Sequence, residues 1–368
     1  MPFFIYMMWF NTVGQENIRS SLTHLAQSNA LHHALIFHGD EGFGMDTIAI
    51  KFAHLVINNS SKSEKFLDDS NIKFIFALPR GKNETDTDGP MDKIPAMEFE
   101  KIKSELGKKE LNTYYQLDIP NANDIKINSI RDIQKYLTLK LESDQKRVII
   151  ISGADSMNEA SQNALLKNLE EPPENTYFIL TTTKLNHLRE TIRSRCQEFQ
   201  FSPLSESEIE KILTNFFEIE PDSAHVVSRI AEGSYTKALE LLESDVNFFL
   251  EKTISILRYG LVGKYYSCLH EINEIGKKDE KNFIQIIRFI IYWLYELRTS
   301  REGKIPYYFA NQKETIDKFN LKYSKIDLSE VIQNCEYLLY QITNTNVNIN
   351  VLKFRLVMLL SSIMKIKK

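Results

Sequence analysis

Apolar residues of NIRSSLTHLAQ (17–27) recur at helical spacing, and ALIFHG (34–39) is a short strand of the buried kind that ends in glycine. Helical period returns in TIAIKFAHLVI (47–57), so strand, glycine-rich turn and helix follow in order. Residues 58 to 112 are polar and irregular, with GKNETDTDG (81–89) the clearest loop and KIKSELGKKE (101–110) reading as a solvated helix face. A helix pattern, INSIRDIQKYLTL (127–139), then leads into RVIIISGA (147–154), a strand too apolar to be half exposed. MNEASQNALLKNLEEPP (157–173) is a helix with apolar positions at 157, 160, 164, 165 and 169, stopped by Pro172 and Pro173. TYFILTTT (176–183) is another buried strand. The alternation predicts a doubly wound α/β domain with a parallel sheet. From SPLSESEIEKIL (202–213) onward every segment reads helical. A small unit runs to about residue 243, ending with RIAEGSYTKALELL (229–242), and a larger one continues to the last residue.

The first strand–turn–helix carries candidate chemistry. In HGDEGFGMDT (38–47), Gly39, Gly42 and Gly44 fall where the phosphate-binding loop G-x-x-x-x-G-K-[ST] needs backbone room. Met45 stands in the lysine position, Asp46 in that of the Mg²⁺-binding hydroxyl, and Thr47 follows. A thioether offers neither charge nor donor, and a carboxylate would repel a triphosphate. The loop therefore reads as a degenerate frame, and no cofactor is expected.

Composition narrows the classes further. With 368 residues, 43% of them hydrophobic, the chain can bury two or three cores. A net charge of -4 argues against bulk polyelectrolyte binding to nucleic acid, although a local basic surface stays open. Cys196, Cys268 and Cys335 are too few and too scattered for a four-cysteine zinc site or a disulfide framework. No metal site is expected, and a reducing cytoplasm fits best. The start, MPFFIYMMWF, lacks the basic region and small-residue cleavage site of a signal peptide, and a start at Met7 or Met8 stays open. The stretch 283–298 is broken by Gln285 and Arg288 and is shorter than the ~20 apolar residues of a membrane span, so no membrane is expected.

GQENI (14–18), HALIFHGDEGFG (33–44), ADSMNEASQNALLKNLEEPP (154–173) and TIRSRCQ (191–197) occur in this order. The set resembles the delta-prime subunits of bacterial DNA polymerase III clamp loaders, a branch of the AAA+ proteins. That resemblance covers roughly residues 8 to 245 by motif and the remainder by helical character. It implies an AAA+ α/β domain over 1–202, a helical lid over 203–243 and a helical collar over 244–368. It also implies a place in a hetero-pentameric ring with the motor (gamma/tau) and delta subunits, which loads a sliding clamp onto primer–template DNA.

Site roles follow from the same resemblance. Active relatives end the strand equivalent to RVIII (147–151) with paired acids that hold Mg²⁺, whereas Ser152 and Gly153 stand here. Asp155, further on, reads as a helix N-cap or a loop acid. Lys237 takes the place of the lid's sensor arginine and lacks its bidentate fork, so solvation is the simpler reading. Ser194, Arg195 and Cys196 match the SRC motif, whose arginine completes a neighbour's ATP site. A surface salt bridge is the plainer role for Arg195, and Arg189 or Arg193 could be the finger instead. Cys196 has no His/Asp constellation that would make it a nucleophile. Many relatives carry a zinc module after the loop helix, but residues 55 to 112 contain no cysteine, so packing around Phe74–Phe76 must hold that region. The expected function is a non-catalytic subunit. The alternatives are an active AAA+ motor or helicase, a delta-type clamp-binding subunit, or a free-standing degenerate AAA+ scaffold.

Overall fold

Five parallel strands build one sheet in the order β2-β3-β4-β1-β5, formed by β1 (Ala34–His38), β2 (Ile72–Ile75), β3 (Arg147–Ile151), β4 (Thr176–Thr182) and β5 (Gln197–Gln200). This computed structural model describes residues 9, 11–28, 30–57, 65–141, 145–243, 246–276, 280–304, 309, 312–345 and 347–362. Residues 1–8, with the alternative starts Met7 and Met8, lie outside them.

Both faces of the sheet are covered, which is why its central strands are continuously apolar. Leu35, Phe37, Val148, Ile150 and Ile179 enter one core with α2 (Met45–Ile57). Ile36, Ile149, Ile151, Phe178 and Leu180 enter the other, with α4 (Ile127–Leu137) and α5 (Glu159–Glu170). The alternation along each strand follows from the two-residue period of β structure. Helix α5 starts two residues after Met157, because the Asn158 side chain caps it by accepting from Ser161 N at 2.9 Å. The α/β class expected from the sequence, a parallel sheet followed by a helical C-terminal region, is the fold of this chain.

Two parts of the first half differ from the sequence expectation. The stretch read as irregular holds strand β2 and a 16-residue helix, α3 (Ala96–Leu111). Its polar face is not solvated throughout: Glu105 and Lys109 are buried because each has partners. Glu105 accepts from Lys108 Nζ (2.6 Å), Tyr115 Oη (2.8 Å) and Asp118 N (2.9 Å). The GKNETDTDG loop is also tied down, since the buried Lys126 ammonium donates to Pro79 O (3.0 Å) and Pro90 O (2.9 Å) and pairs with Glu84 at 2.7 Å. Phe76, Leu78, Ile94 and Ile102 form a local core beside it. Strand β5, the other omission, carries no apolar run because it lies at the sheet edge and is largely exposed.

The α/β unit comprises Met1–Ala224 and Glu232–Lys237, and a second unit comprises His225–Ala231 and Ala238–Lys368. Before β1 the first unit carries α1 (Glu16–Gln27), and between β4 and β5 the short α6 (Glu190–Arg193). After β5 comes α7 (Glu206–Phe217), whose Ser205 and Glu208 form a reciprocal capping box. Helices α8 (Pro221–Ile230) and α9 (Tyr235–Glu243) are divided between the units. The second unit continues with α10 (Val246–Val262), α11 (Tyr265–Gly276), α12 (Glu280–Arg301), α13 (Lys313–Lys322), α14 (Leu328–Asn344) and α15 (Ile349–Ser362). Trp293, Phe283 and Phe289 of α12 are fully buried at its centre. Among the described residues, no helix is long and apolar enough to cross a membrane.

Candidate functional site

The carboxyl ends of β3, β4 and β1, adjacent in the sheet, bring together Ser152, Thr181 and the loop that enters α2. Such ends are where doubly wound sheets bind ligands. A cleft of about 330 Å³ opens there, lined among others by Glu41, Asp46, Ser152, Gly153, Asp155 and Thr182.

Gly42 (φ +80°) and Gly44 (φ +88°) adopt backbone angles that favour glycine, as the loop pattern required. The room beside Gly42 and Gly39 is filled by protein, whereas Gly44 faces the cleft. A Cβ on Gly42 would run into Ser234 Oγ and Thr236 Oγ1, and one on Gly39 would press on Phe201. Ser234 Oγ donates to Glu41 O (2.7 Å), Tyr235 N to Gly42 O (3.2 Å), and Gln15 Nε2 to Phe43 O (3.2 Å). Tyr235, itself buried, donates from its hydroxyl to Tyr114 O (2.8 Å) and accepts from Gln116 Nε2 (2.6 Å). Three consecutive loop carbonyls are thus held by the chain itself, and residues 234–236 form a strap across the loop.

Each of the three positions after Gly44 has structural contacts. Met45 is buried in the core beneath the loop. Thr47, also buried, donates from Oγ1 to Thr113 O at 2.9 Å. Asp46 is the hub. Its Oδ2 accepts from Ser152 Oγ (2.7 Å), its Oδ1 from Thr181 Oγ1 (2.7 Å), and Lys109 Nζ stands 3.7 Å from Oδ2. At that separation the lysine contact is an ion pair rather than a hydrogen bond. Lys109 is 1% exposed and donates to Tyr115 O at 2.7 Å. Burial pushes its pKa down, and the Asp46 charge opposes the shift.

This arrangement does not fit a Mg²⁺–nucleotide. The carboxylate in the metal-ligand position is already bonded to both flanking hydroxyls and balanced by a fixed ammonium. Asp155 adds a second carboxylate to the cleft, where its Oδ1 accepts from Thr182 Oγ1 (2.7 Å) and Thr183 N (3.2 Å). It is a loop acid tying β3 to β4, and the N-cap alternative fails because the short turn at 154–156 has no side-chain cap. Lys237 pairs with Glu232 at 2.9 Å. Restoring the loop residues alone, as Met45→Lys with Asp46→Thr, is therefore expected to leave nucleotide binding absent, because the strap remains and Lys109 loses its counter-charge. Titration with a fluorescent ATP analogue checks this. Micromolar binding by that double variant would show that charge alone had closed the site.

The SRC segment lies elsewhere on the same unit, after α6. Arg195 Nη2 pairs with Glu170 Oε1 at 2.9 Å, and its Nη1 donates to Thr191 O at 2.9 Å. Ser194 Oγ donates to Thr191 O (3.3 Å). Burial pushes the Cys196 thiol up to about 12, so it stays protonated and packs against the core. Arg189 is tied to Glu159 and Asn163, and Arg193 to Glu198 at 2.9 Å. The histidines form no metal cage: His33 Nε2 bonds Leu169 O (3.0 Å), and burial lowers the pKa of both His33 and His38. Among the described residues, no cluster of His, Cys, Asp and Glu could hold a metal ion.

Sequence reasoning missed Lys109, Thr181, Tyr235 and Glu170. Thr181 had a faint signal, a hydroxyl run (TTT) closing an otherwise apolar strand. The other three are brought to their places by folding across 63, 121 and 25 positions respectively.

The sequence model of one protein family, described as DNA polymerase III, delta subunit, matches residues 14–205. Among relatives, DNA polymerase III subunit gamma of Buchnera aphidicola subsp. Schizaphis graminum is 27% identical over 305 residues, 76% of this chain and 75% of that protein. Subunit delta' of Haemophilus influenzae is 29% identical over 181 residues, 49% of this chain and 54% of that one. Subunit tau of Bacillus subtilis is 28% identical over 276 residues, 72% of this chain and 43% of that protein. With more than half of its length matched by the family model, the chain belongs to the DNA polymerase III, delta subunit, family.

Proposed function

We propose that this chain is a delta-prime-type, non-catalytic subunit of a clamp loader. The observation that carries the reading is the Asp46 hub, in which Ser152, Thr181 and Lys109 take up the contacts a metal–nucleotide would need. A chain built this way contributes by position and by what it presents to a neighbour. Its partners on this reading are motor (gamma/tau) and delta subunits in a hetero-pentameric ring in the cytoplasm. The ring would engage a sliding clamp and primer–template DNA. Residues 1–202 serve as the AAA+ domain, 203–243 as its lid and 244–368 as the collar through which the ring assembles.

Arg195 is the residue we assign as the arginine finger in trans. Its side chain is 36% exposed and its guanidinium is held by one carboxylate and one carbonyl, contacts that a neighbour's phosphoryl oxygens could replace. A motor-type reading draws support from the gamma and tau relatives, and the same hub speaks against it. One experiment separates them. The pure chain, with and without primed DNA, is expected to release no phosphate above background while co-purifying with the motor and delta subunits. Turnover near ~1 s⁻¹ by the pure chain would overturn the non-catalytic reading.

A further inference from the structure

Glu170 is the last residue of α5, where a carboxylate meets the negative end of the helix dipole and gains from a cation beside it. Arg195 is that cation: its Nη2 lies 2.9 Å from Glu170 Oε1, while Nη1 is held by Thr191 O and lies 3.5 Å from Ser194 Oγ. The neighbouring arginines cannot substitute for it cheaply, since Arg189 is engaged with Glu159 and Asn163 and Arg193 with Glu198. Both members of the Arg195–Glu170 pair stay open to solvent, at 36% and 48% exposure. The pair is therefore weak enough to exchange.

We infer that Glu170 is a positioning residue that parks Arg195 against its own subunit until a neighbour's nucleotide competes for the guanidinium. This rests on the proposed reading of Arg195 as a trans-acting finger. A carboxylate and a phosphoryl group are both anionic acceptors for a guanidinium N–H, and Glu170 takes only the Nη2 edge, so a phosphoryl oxygen competes directly for that donor. No bond is made or broken in the exchange. The guanidinium passes from one anion to another, and Glu170 is left to water. Glu170 thereby sets how much nucleotide is needed to draw the finger across, without taking part in the chemistry that follows.

Glu170→Gln keeps the shape and removes the charge. In the assembled loader, ATP hydrolysis is measured against ATP concentration, and the finger-dependent part is the difference between wild-type and Arg195→Ala rings. Glu170→Gln is expected to lower the half-saturating ATP of that part by about two- to fivefold, the range an exposed ion pair spans, with kcat unchanged. Combined with Arg195→Ala, it is expected to change nothing further. If Glu170→Gln leaves half-saturation unaltered while Arg195→Ala still lowers the rate, the parking role is wrong and the finger stands. A gain that persists without Arg195 also overturns it. If Arg195→Ala itself has no effect, the finger reading fails and this inference with it.

Discussion

Replacing Arg195 with alanine is expected to slow hydrolysis about 10³-fold at the single neighbouring site the finger serves, while the chain folds and the ring assembles as before. The stability cost is small, under about 1 kcal/mol, because the guanidinium makes only one exposed ion pair and a few hydrogen bonds on the surface. On the proposed reading, sites served by other subunits would keep their own arginines, so the total ATPase of the loader would fall only in part. Clamp loading falls further if the sites act in concert. Arg195→Lys restores little, since lysine has no planar fork. Phosphate release and clamp loading by reconstituted complexes are the measurements. Equal rates for wild-type and Arg195→Ala rings would make the arginine structural, or move the role to Arg193.

The second large effect concerns the other end of the first unit. Lys109→Met removes the only ammonium paired with Asp46 among the described contacts and leaves that largely buried carboxylate without a counter-charge. Removing one partner of a buried pair costs about 3–5 kcal/mol. Asp46 keeps 16% of its side chain open to the cleft and retains the Ser152 and Thr181 hydroxyls, which places the loss nearer the lower figure. Adding Asp46→Asn removes the stranded charge, so the double variant should be more stable than the sum of the two single changes implies. Denaturant unfolding of the purified chain reads both. A loss below about 1 kcal/mol for Lys109→Met would mean that water, not the lysine, balances Asp46.

The fold was legible where a strand or helix carried its own periodicity. Ala34–His38, Arg147–Ile151 and Thr176–Thr182 are buried on both faces and therefore read as continuous apolar runs. Edge strands lack that signature: β5 has the sequence QEFQ and is mostly exposed. Helix α3 escaped notice as a buried element because Glu105 and Lys109 look like surface residues until their partners are known. At the site, Met45 and Asp46 could be singled out as departures from the phosphate-loop spacing, and Ser152 and Gly153 only through the family resemblance. The contacts these residues make in the fold could not be read. Lys109 and Tyr235 arrive from distant segments, and only the folded backbone brings them to the loop.

The strap at Ser234–Thr236 has a consequence for how the chain responds to its surroundings. An ATPase that closes around nucleotide is stabilised by mass action, so its folded fraction drifts with the cellular pool of ATP and ADP. Here the closing element is covalently part of the same chain. Ser234 and Tyr235 hold Glu41 and Gly42 at an effective concentration fixed by the fold, which no dilution or metabolic change alters. Gly42 then accommodates a peptide segment of the same chain. On the proposed reading, such a subunit would hold its loop in place without help from the nucleotide its neighbours turn over.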